Sequence, residues 1–465
     1  MIGMIKDLDL AKYKHLFAAG AESSLRAQMN RRRGAAMVMG SLVRNDRTDI
    51  SGVGARVYKN GVYGFSSQAD LTEEAIRSVL TAATDNAIFM DKHIGKGKGN
   101  LPLQPAGNFT EDRLWRELPQ KAYVDAIREV DAYIKEKYPK LMSRSVIATA
   151  DCMEKLHIGS DGMSAYSVLP RAYIYVGMTA EDSEGSPIEL MDIFGGRGMF
   201  DEYFSDPSTM FERLDRLYER LMQKKEGVYA EAGIKTCILG GILSGMLSHE
   251  AVGHTVEADL VLGGSVAAHN LGKEVASPLV SMTDFAHHAF GKEMPLPVYV
   301  DDEGVLAKDA PLIKDGILVG YMNNRETAER FGMEACGNAR AYKFSDEPLI
   351  RMRNTAIHPG ESKLADMIAS VEDGYYLIDT NNGQADTTGE FMFGVTMGYE
   401  IKNGKLGRAI KDTTISGVAF EMLKTVDMVS DEMTWASSGF CGKKQPMPVG
   451  MGGPALRCKI MIGGR

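Results

Sequence analysis

The stretch from Gly240 to Asp259 constrains this chain most, because an apolar, small-residue-rich helix there turns abruptly polar. Leu243, Met246 and Leu247 are followed by Ser248-His249-Glu250-Ala251-Val252-Gly253-His254. A helix that buries its apolar face cannot also bury imidazoles and a carboxylate unless these find partners or an ion. A His-Glu pair followed by a second His suits a hydrolytic zinc site. Two neutral imidazoles bind the ion, and the carboxylate beside the first serves as general base on the water that the ion holds. The spacing, however, is HExxxH. Five residues of a regular α-helix advance about 500°, which leaves the two imidazoles about 140° apart. Both face one ion only where the turn is widened, as in a π-bulge, which closes i to i+5. Gly253, just before the second His, makes that distortion less costly.

Two His ligands and a Glu reserved as base leave the ion one protein ligand short, since a catalytic zinc normally takes three and a water. The candidates are distant: Cys152, Cys237, Cys336, Cys441 and Cys458, or the pair His287-His288. Cys237 precedes an apolar strand-like run and Cys458 sits in an alternating strand, so both read as core. Cys441 lies in the Gly-flanked turn Gly439-Phe440-Cys441-Gly442-Lys443-Lys444-Gln445. Backbone can approach a site closely there, and two lysines would favour the thiolate. A lone Cys is more often packing than ligand, so these residues by themselves leave the third ligand open.

The rest of the chain sets limits. Its 465 residues are 44% hydrophobic and 25% charged, enough to bury a core without disulfides or a structural metal. A metal here therefore points to function. Lys and Arg total 53 against 62 Asp and Glu, a formal charge of -9. Such a surface does not hold a polyanion by bulk charge, so no direct nucleic-acid binding is expected. The chain has no apolar run long enough for a membrane-spanning helix, which excludes that mode of membrane insertion. Arg31-Arg32-Arg33 followed by GAAMVMGSLV looks like a twin-arginine export signal. Arg44 closes the short apolar run and strand-like sequence follows, which argues against export. Five widely spaced cysteines without a CxxC pair fit free thiols in a reducing compartment, and a cytoplasmic location is expected. The 29 Met residues read as adaptable core filling.

Strand and helix signals alternate in the first half. Asn60-Gly61 predicts a hairpin with a type I′ turn. Asp70, with Glu73 three residues on, predicts a helix start, and Ile76, Val79, Leu80, Ala83 and Ala87 form its apolar stripe. Gly95-Lys96-Gly97-Lys98-Gly99 reads as a solvated linker, since it lacks the GxxxxGK[ST] of a phosphate loop. Further helices are predicted over 122–138, stopped by Pro139, and over 207–225, with strands turning at Ser160-Asp161-Gly162 between them. Beyond the apolar helix, short β segments carry hairpin signals at Asp315-Gly316 and Asn403-Gly404. These patterns predict an α+β fold. A mixed α/β N-terminal domain over 1–227 precedes a β-dominated C-terminal domain over 228–465 that carries the metal-site helix.

The run His249-Glu250-Ala251-Val252-Gly253-His254-Thr255-Val256-Glu257-Ala258-Asp259 resembles the signature of the TldD/PmbA metalloprotease family, also called the modulator-of-DNA-gyrase family. Val53-Gly54-Ala55-Arg56-Val57-Tyr58 with Gly61 and Gly64-Phe65 resembles its N-terminal strand pair. Asp301-Asp302-Glu303-Gly304, Gly320-Tyr321-Met322, Arg351-Met352-Arg353-Asn354-Thr355 and His358-Pro359-Gly360 resemble its central motifs. Cys441-Gly442-Lys443 through Pro446, Pro448-Val449-Gly450 and Gly464 resemble its end.

The resemblance implies a zinc-dependent peptidase of the TldD-like catalytic type. The two His and a Cys near the C-terminus hold Zn2+, here His249, His254 and Cys441, with Glu250 as the catalytic base. PmbA-type subunits lack these residues, whereas this chain keeps all four. Unfolded or flexible peptides are the implied substrates, bound as an added strand in a cavity between two subunits. The implied assembly is a homodimer or a heterodimer with a PmbA-type subunit. The region 269–297 departs from the family pattern, and its pair His287-His288 is expected in a surface loop. Two other readings remain: a non-catalytic binding or regulatory subunit with a metal-free site, and a metal-dependent amidase of small molecules. Stoichiometric zinc excludes the first, and cleavage of an unstructured protein excludes the second.

Overall fold

The computed structural model describes residues 5–95, 97, 101 and 107–463. Most of the stretch 95–99, read above as a linker, lies outside the described residues, as does Gly464.

Two long strands begin the fold. β1 (Glu22–Val38) and β2 (Ser41–Lys59) pair antiparallel from Glu22↔Tyr58 to Val38↔Ser41. The twin-arginine look-alike is the middle of β1. Arg33 there is fully buried and bound to Glu117 at 2.7 Å and Asp49 at 2.8 Å, since a buried guanidinium must be paired. β2 turns into β3 (Val62–Gln68) through Asn60 at φ 49° and Gly61 at φ 89°. Those two left-handed residues are what a type I′ turn requires.

The next helix, α1 (Glu73–Ile94), buries the expected stripe, but its cap is not Asp70. Thr72 accepts the Ala75 amide, while Asp70 accepts the amides of Leu71 and Thr72 in the preceding turn. The helix thus starts later than expected because Thr72 stands where the N-cap oxygen is needed.

The strands β4 (Asn108–Thr110), β5 (Ser143–Gly159), β6 (Ser164–Glu181) and β7 (Pro187–Arg197) complete a seven-stranded sheet. Its order is β3-β2-β1-β5-β6-β4, with β7 also on β6. Between β4 and β5 lies α2 (Gln120–Lys137), and α3 (Phe200–Phe204) and α4 (Phe211–Lys225) follow β7. Both long helices pack on one face of the sheet. Ile127, Val130 and Ile134 of α2 and Leu214, Leu217 and Leu221 of α4 meet Ala35, Met37, Val146, Ala148, Ile174 and Val176. These sheet residues alternate along their strands, so the opposite face of the same rows carries no helix of this cluster.

Two larger sheets and three two-stranded ones make up the second half among the described residues. The strand β8 (Gly233–Leu239) pairs parallel with 373–385 and antiparallel with 456–462. Strands 413–418 and 390–402 continue the circuit, and 390–402 pairs back on 373–385. The sheet closes on itself and packs on the apolar helix through Leu377, Phe393, Leu456 and Leu243, among others. A six-stranded sheet lies alongside, with Met282–Phe285 pairing Asn354–Ile357 and Asn354–Ile357 pairing Gly450–Gly453. The predicted hairpin turns are present: Asp315 and Gly316 have φ 48° and 84°, and Asn403 and Gly404 have φ 50° and 72°. The fold class is α+β. Among the described residues, no helix is long and apolar enough to cross a membrane.

Candidate metal centre

The apolar helix expected over 240–259 is several short pieces. An α-helical turn, α5 (Gly241–Met246), passes into a π-helical turn over Leu247–Gly253 and then into the 3-10 turn His254–Val256. The His254 amide donates to the His249 carbonyl, an i to i+5 hydrogen bond that closes between the two histidines. The widening that HExxxH demands is therefore present and spans the motif. It brings the imidazole centroids to 5.2 Å.

Gly253 has a different reason from the one expected. Its φ of -53° is ordinary helix, so backbone freedom is not needed there. A Cβ would instead lie 2.3 Å from Met352 Sδ and 2.9 Å from the Ser248 carbonyl oxygen. Close approach is what selects glycine. Gly253→Ala is expected to cost roughly 1–3 kcal/mol through overpacking and to lower metal occupancy by moving His254. Thermal melting with metal analysis checks this, and an unchanged melting temperature and metal content would refute it.

Cys441 arrives from far along the chain. Its strand Phe440–Cys441 pairs with Met447–Pro448, and the buried Arg351 guanidinium donates to the carbonyls of Cys441, Lys443 and Gln445 at 2.6, 2.9 and 2.7 Å. Fixed in this way, Cys441 Sγ stands 3.3 Å from His254 Nε2. The ligand atoms of His249, His254 and Cys441 all lie within 4.8 Å of one another. Ligands at about 2.0–2.3 Å from a tetrahedral ion are roughly 3.3–3.8 Å apart, so the spacing suits one zinc ion. Glu250 stands 3.8 Å from both Nε2 atoms, too far for a hydrogen bond and close enough to flank a small group between them.

The electrostatics single out this cysteine. Burial pushes the thiols of Cys152, Cys237, Cys336 and Cys458 up. Burial also opposes the Cys441 thiolate, but hydrogen bonding and charge from His249 and His254 outweigh it and bring the thiol down to about 4. His254 moves the other way: against burial, its bonds to Cys441 and Glu257 push it up to about 10. Both shifts favour a thiolate beside an imidazolium in the metal-free pair, so that binding an ion there is coupled to proton release. The two histidines, and not the neighbouring lysines, are the largest causes of the lowered thiol. Lys443 Nζ is spent on Glu257 at 3.2 Å, Asp259 at 2.7 Å and the Ile350 carbonyl at 3.1 Å.

Glu257, a residue given no role by the sequence reading, completes the centre. Fully buried, it accepts from His254 Nδ1 at 2.7 Å and so turns Nε2 toward Cys441. A carboxylate behind a metal-binding histidine fixes its tautomer and raises its basicity. Its place three residues after the second His was the available signal. His249 is buried, and its Nδ1 has no hydrogen-bond partner among the described residues.

The His287-His288 pair does not join this group. The two Nδ1 atoms are 3.0 Å apart, and His287 stacks on Tyr299 at 4.7 Å between centroids. His288 is exposed as expected. The region 269–297 is not all surface, however: Met282–Phe285 is a fully buried strand whose Asp284 binds Arg353.

The family description "PmbA/TldA metallopeptidase C-terminal domain" matches residues 233–464, and "PmbA/TldA metallopeptidase domain 1" matches 24–87. A metalloprotease of Methanocaldococcus jannaschii is 30% identical over 459 residues, covering 97% of this chain and 98% of that protein. A zinc metalloprotease TldD homolog of Saccharolobus solfataricus is 26% identical over 417 residues, 89% of this chain and 90% of the relative. In fold, the crystal structure of TldE from Thermococcus kodakarensis superposes with a TM-score of 0.74 at 16% identity, covering 96% of this chain and 98% of that one. The chain belongs to the PmbA/TldD family of metallopeptidases.

Proposed function

We propose that this chain is a zinc-dependent peptidase that hydrolyses unfolded or flexible peptides, with His249, His254 and Cys441 as ligands and Glu250 as general base. What carries the proposal is the convergence of three ligand atoms within 4.8 Å of one another, beside a carboxylate 3.8 Å from both imidazole Nε2 atoms. Two nitrogens and a thiolate suit a borderline-soft ion, whereas magnesium and calcium take oxygen. When bound, zinc polarises the scissile carbonyl and lowers the pKa of water.

The protein's own residues do the rest. Glu250 takes a proton from water as the water oxygen bonds to the carbonyl carbon. It returns the proton to the amide nitrogen as the C–N bond breaks, leaving a carboxylic acid and an amine, and the acid's proton then passes to the amine to give carboxylate and ammonium. Glu257 holds the His254 ring in register through this sequence, and the Arg351 clamp holds Cys441.

Metal analysis tests the ligand set. Wild-type protein is expected to carry about one zinc per chain, and Cys441→Ser to lose most of it, because a neutral hydroxyl replaces a thiolate. Zinc retained at wild-type affinity in Cys441→Ser would remove Cys441 from the ligands. No zinc in the wild type would favour the non-catalytic reading.

The same proposal takes the chain as two parts meeting near residue 228, as a cytoplasmic protein with free thiols, and as a homodimer or a heterodimer with a PmbA-type subunit. Light scattering at micromolar concentration, alone and with such a subunit, tests the assembly. Monomer in both mixtures would overturn it.

A further inference from the structure

The face of the N-terminal sheet that α2 and α4 leave bare is not flat solvent-facing surface. Rows of facing residues cross β2, β1, β5 and β6: Thr48–Arg32–Asp151–Arg171, then Asp46–Gly34–Thr149–Tyr173. Gly34 adds no side chain in the middle of this face, and the segments around Tyr342-Lys343 and Ser438–Phe440 roof it. Together they enclose a cavity of about 560 Å³. That lies within the roughly 300–1,000 Å³ of pockets that bury small ligands or peptide side chains. Tyr173, Tyr175, Tyr342 and Phe440 give it aromatic walls. The roof is fastened to the sheet, with the Tyr173 hydroxyl 2.9 Å from the Ser437 carbonyl and Arg171 over the Phe440 ring at 4.5 Å. Phe440 and Cys441 are consecutive in one short strand and so point to opposite sides. The cavity therefore lies behind the ribbon that carries Cys441, apart from the metal centre.

The charges in this cavity do not balance. Arg44 is paired with Asp46 at 2.8 Å, and Asp151 is committed to Arg171 by bonds of 2.8 and 2.9 Å. Arg31 points to the other face, bound to Glu154 at 2.6 Å. Arg32 and Lys343 remain. Among the described residues, neither side chain makes a hydrogen bond or ion pair, although the whole chain carries a formal charge of -9. Beside them runs an open edge. β3 pairs with β2 only from Val53 onward, so the outer backbone groups of Ser41–Gly52 face no strand among the described residues. An open edge takes an extended chain by main-chain hydrogen bonding.

We propose that this face is a second binding site, which holds an extended peptide segment through a carboxylate on Arg32 and Lys343 and through apolar or aromatic contacts with the tyrosines and Phe440. It rests on the peptidase reading above and adds a preference to it. A substrate is held away from its scissile bond, and acidic segments are held best. A side-chain carboxylate and a C-terminal carboxylate offer the same chemistry.

Binding to Glu250→Gln protein tests this without turnover. Fluorescently labelled unstructured peptides are titrated in: one with clustered Glu and an amidated end, one with Gln at those positions and an amidated end, and the Gln peptide with a free C-terminus. Arg32→Gln with Lys343→Gln is expected to weaken the Glu peptide by about 10-fold for each cation removed, the order of a charge-assisted hydrogen bond. The amidated Gln peptide should be unaffected. A matching loss for the free-ended Gln peptide assigns the terminal carboxylate as a source, and a loss for the Glu peptide assigns side chains; either supports the site. An unchanged affinity for both carboxylate peptides overturns it. So does an effect of the two changes on particle mass in light scattering instead of on peptide affinity, which would make this face a subunit contact. Wild-type, zinc-loaded protein that binds the Glu peptide but cleaves none would sink the peptidase reading and leave the binding site standing.

Discussion

Glu250→Gln is expected to slow hydrolysis of an unstructured peptide by about two to four orders of magnitude, the usual contribution of a general base. Zinc content and melting temperature should stay at wild-type values. The reason is position. The Glu250 carboxylate is partly exposed and stands 3.8 Å from both Nε2 atoms, and it lies outside the three-residue group of converging ligand atoms. Glutamine keeps its shape and one acceptor oxygen but cannot take the proton. A ligand variant behaves differently: activity falls with metal occupancy and returns in part when zinc is added. Wild-type turnover in Glu250→Gln would end the hydrolytic mechanism. Loss of zinc would make Glu250 a ligand and reopen the place of Cys441.

The local chemistry of this centre was legible in the sequence, and its supports were not. HExxxH is five residues apart, helical geometry cannot bring the two rings together, and so a π-turn follows from the spacing. The hydrogen bond from His254 to His249 is that turn. By contrast, the meeting of Cys441 with His254 depends on a loop fixed by Arg351 and on strands paired over long separations. No local pattern reports such a contact. The same holds for Gly253, whose neighbour Met352 lies on a different element. Helix stripes were readable because period 3.6 repeats many times in α1 and α2. The long strands β1 and β2 were harder: β1 is buried along most of its length and so shows no alternation.

Arg353→Met is expected to destabilise the C-terminal part by about 3–5 kcal/mol, the cost of leaving a buried charge without its partner. Arg353 and Asp284 are both fully buried, 2.8 Å apart. Asp284 also accepts the Arg353 amide at 2.8 Å, the Thr355 hydroxyl at 2.9 Å and Asn338 at 2.7 Å. The remaining guanidinium nitrogens bind the carbonyls of Cys336, Asp284 and Lys308. Methionine fills much of the volume but restores none of these bonds, so the loss is electrostatic and not a cavity effect. The damage should reach the metal centre, because Thr355 lies on this strand and its carbonyl accepts from Ser248 in the π-turn. Trp435 makes the measurement possible. It is one of 2 Trp in the chain, lies on the strand that pairs with Gly450–Gly453, and contacts Phe285 beside Asp284. In a Trp115→Phe background its fluorescence follows urea unfolding of this sheet alone. A transition shifted by less than about 1 kcal/mol, within the range of exposed ion pairs, would show that Asp284 is neutralised or solvated in the variant and that the pair is not what holds the floor of the π-turn.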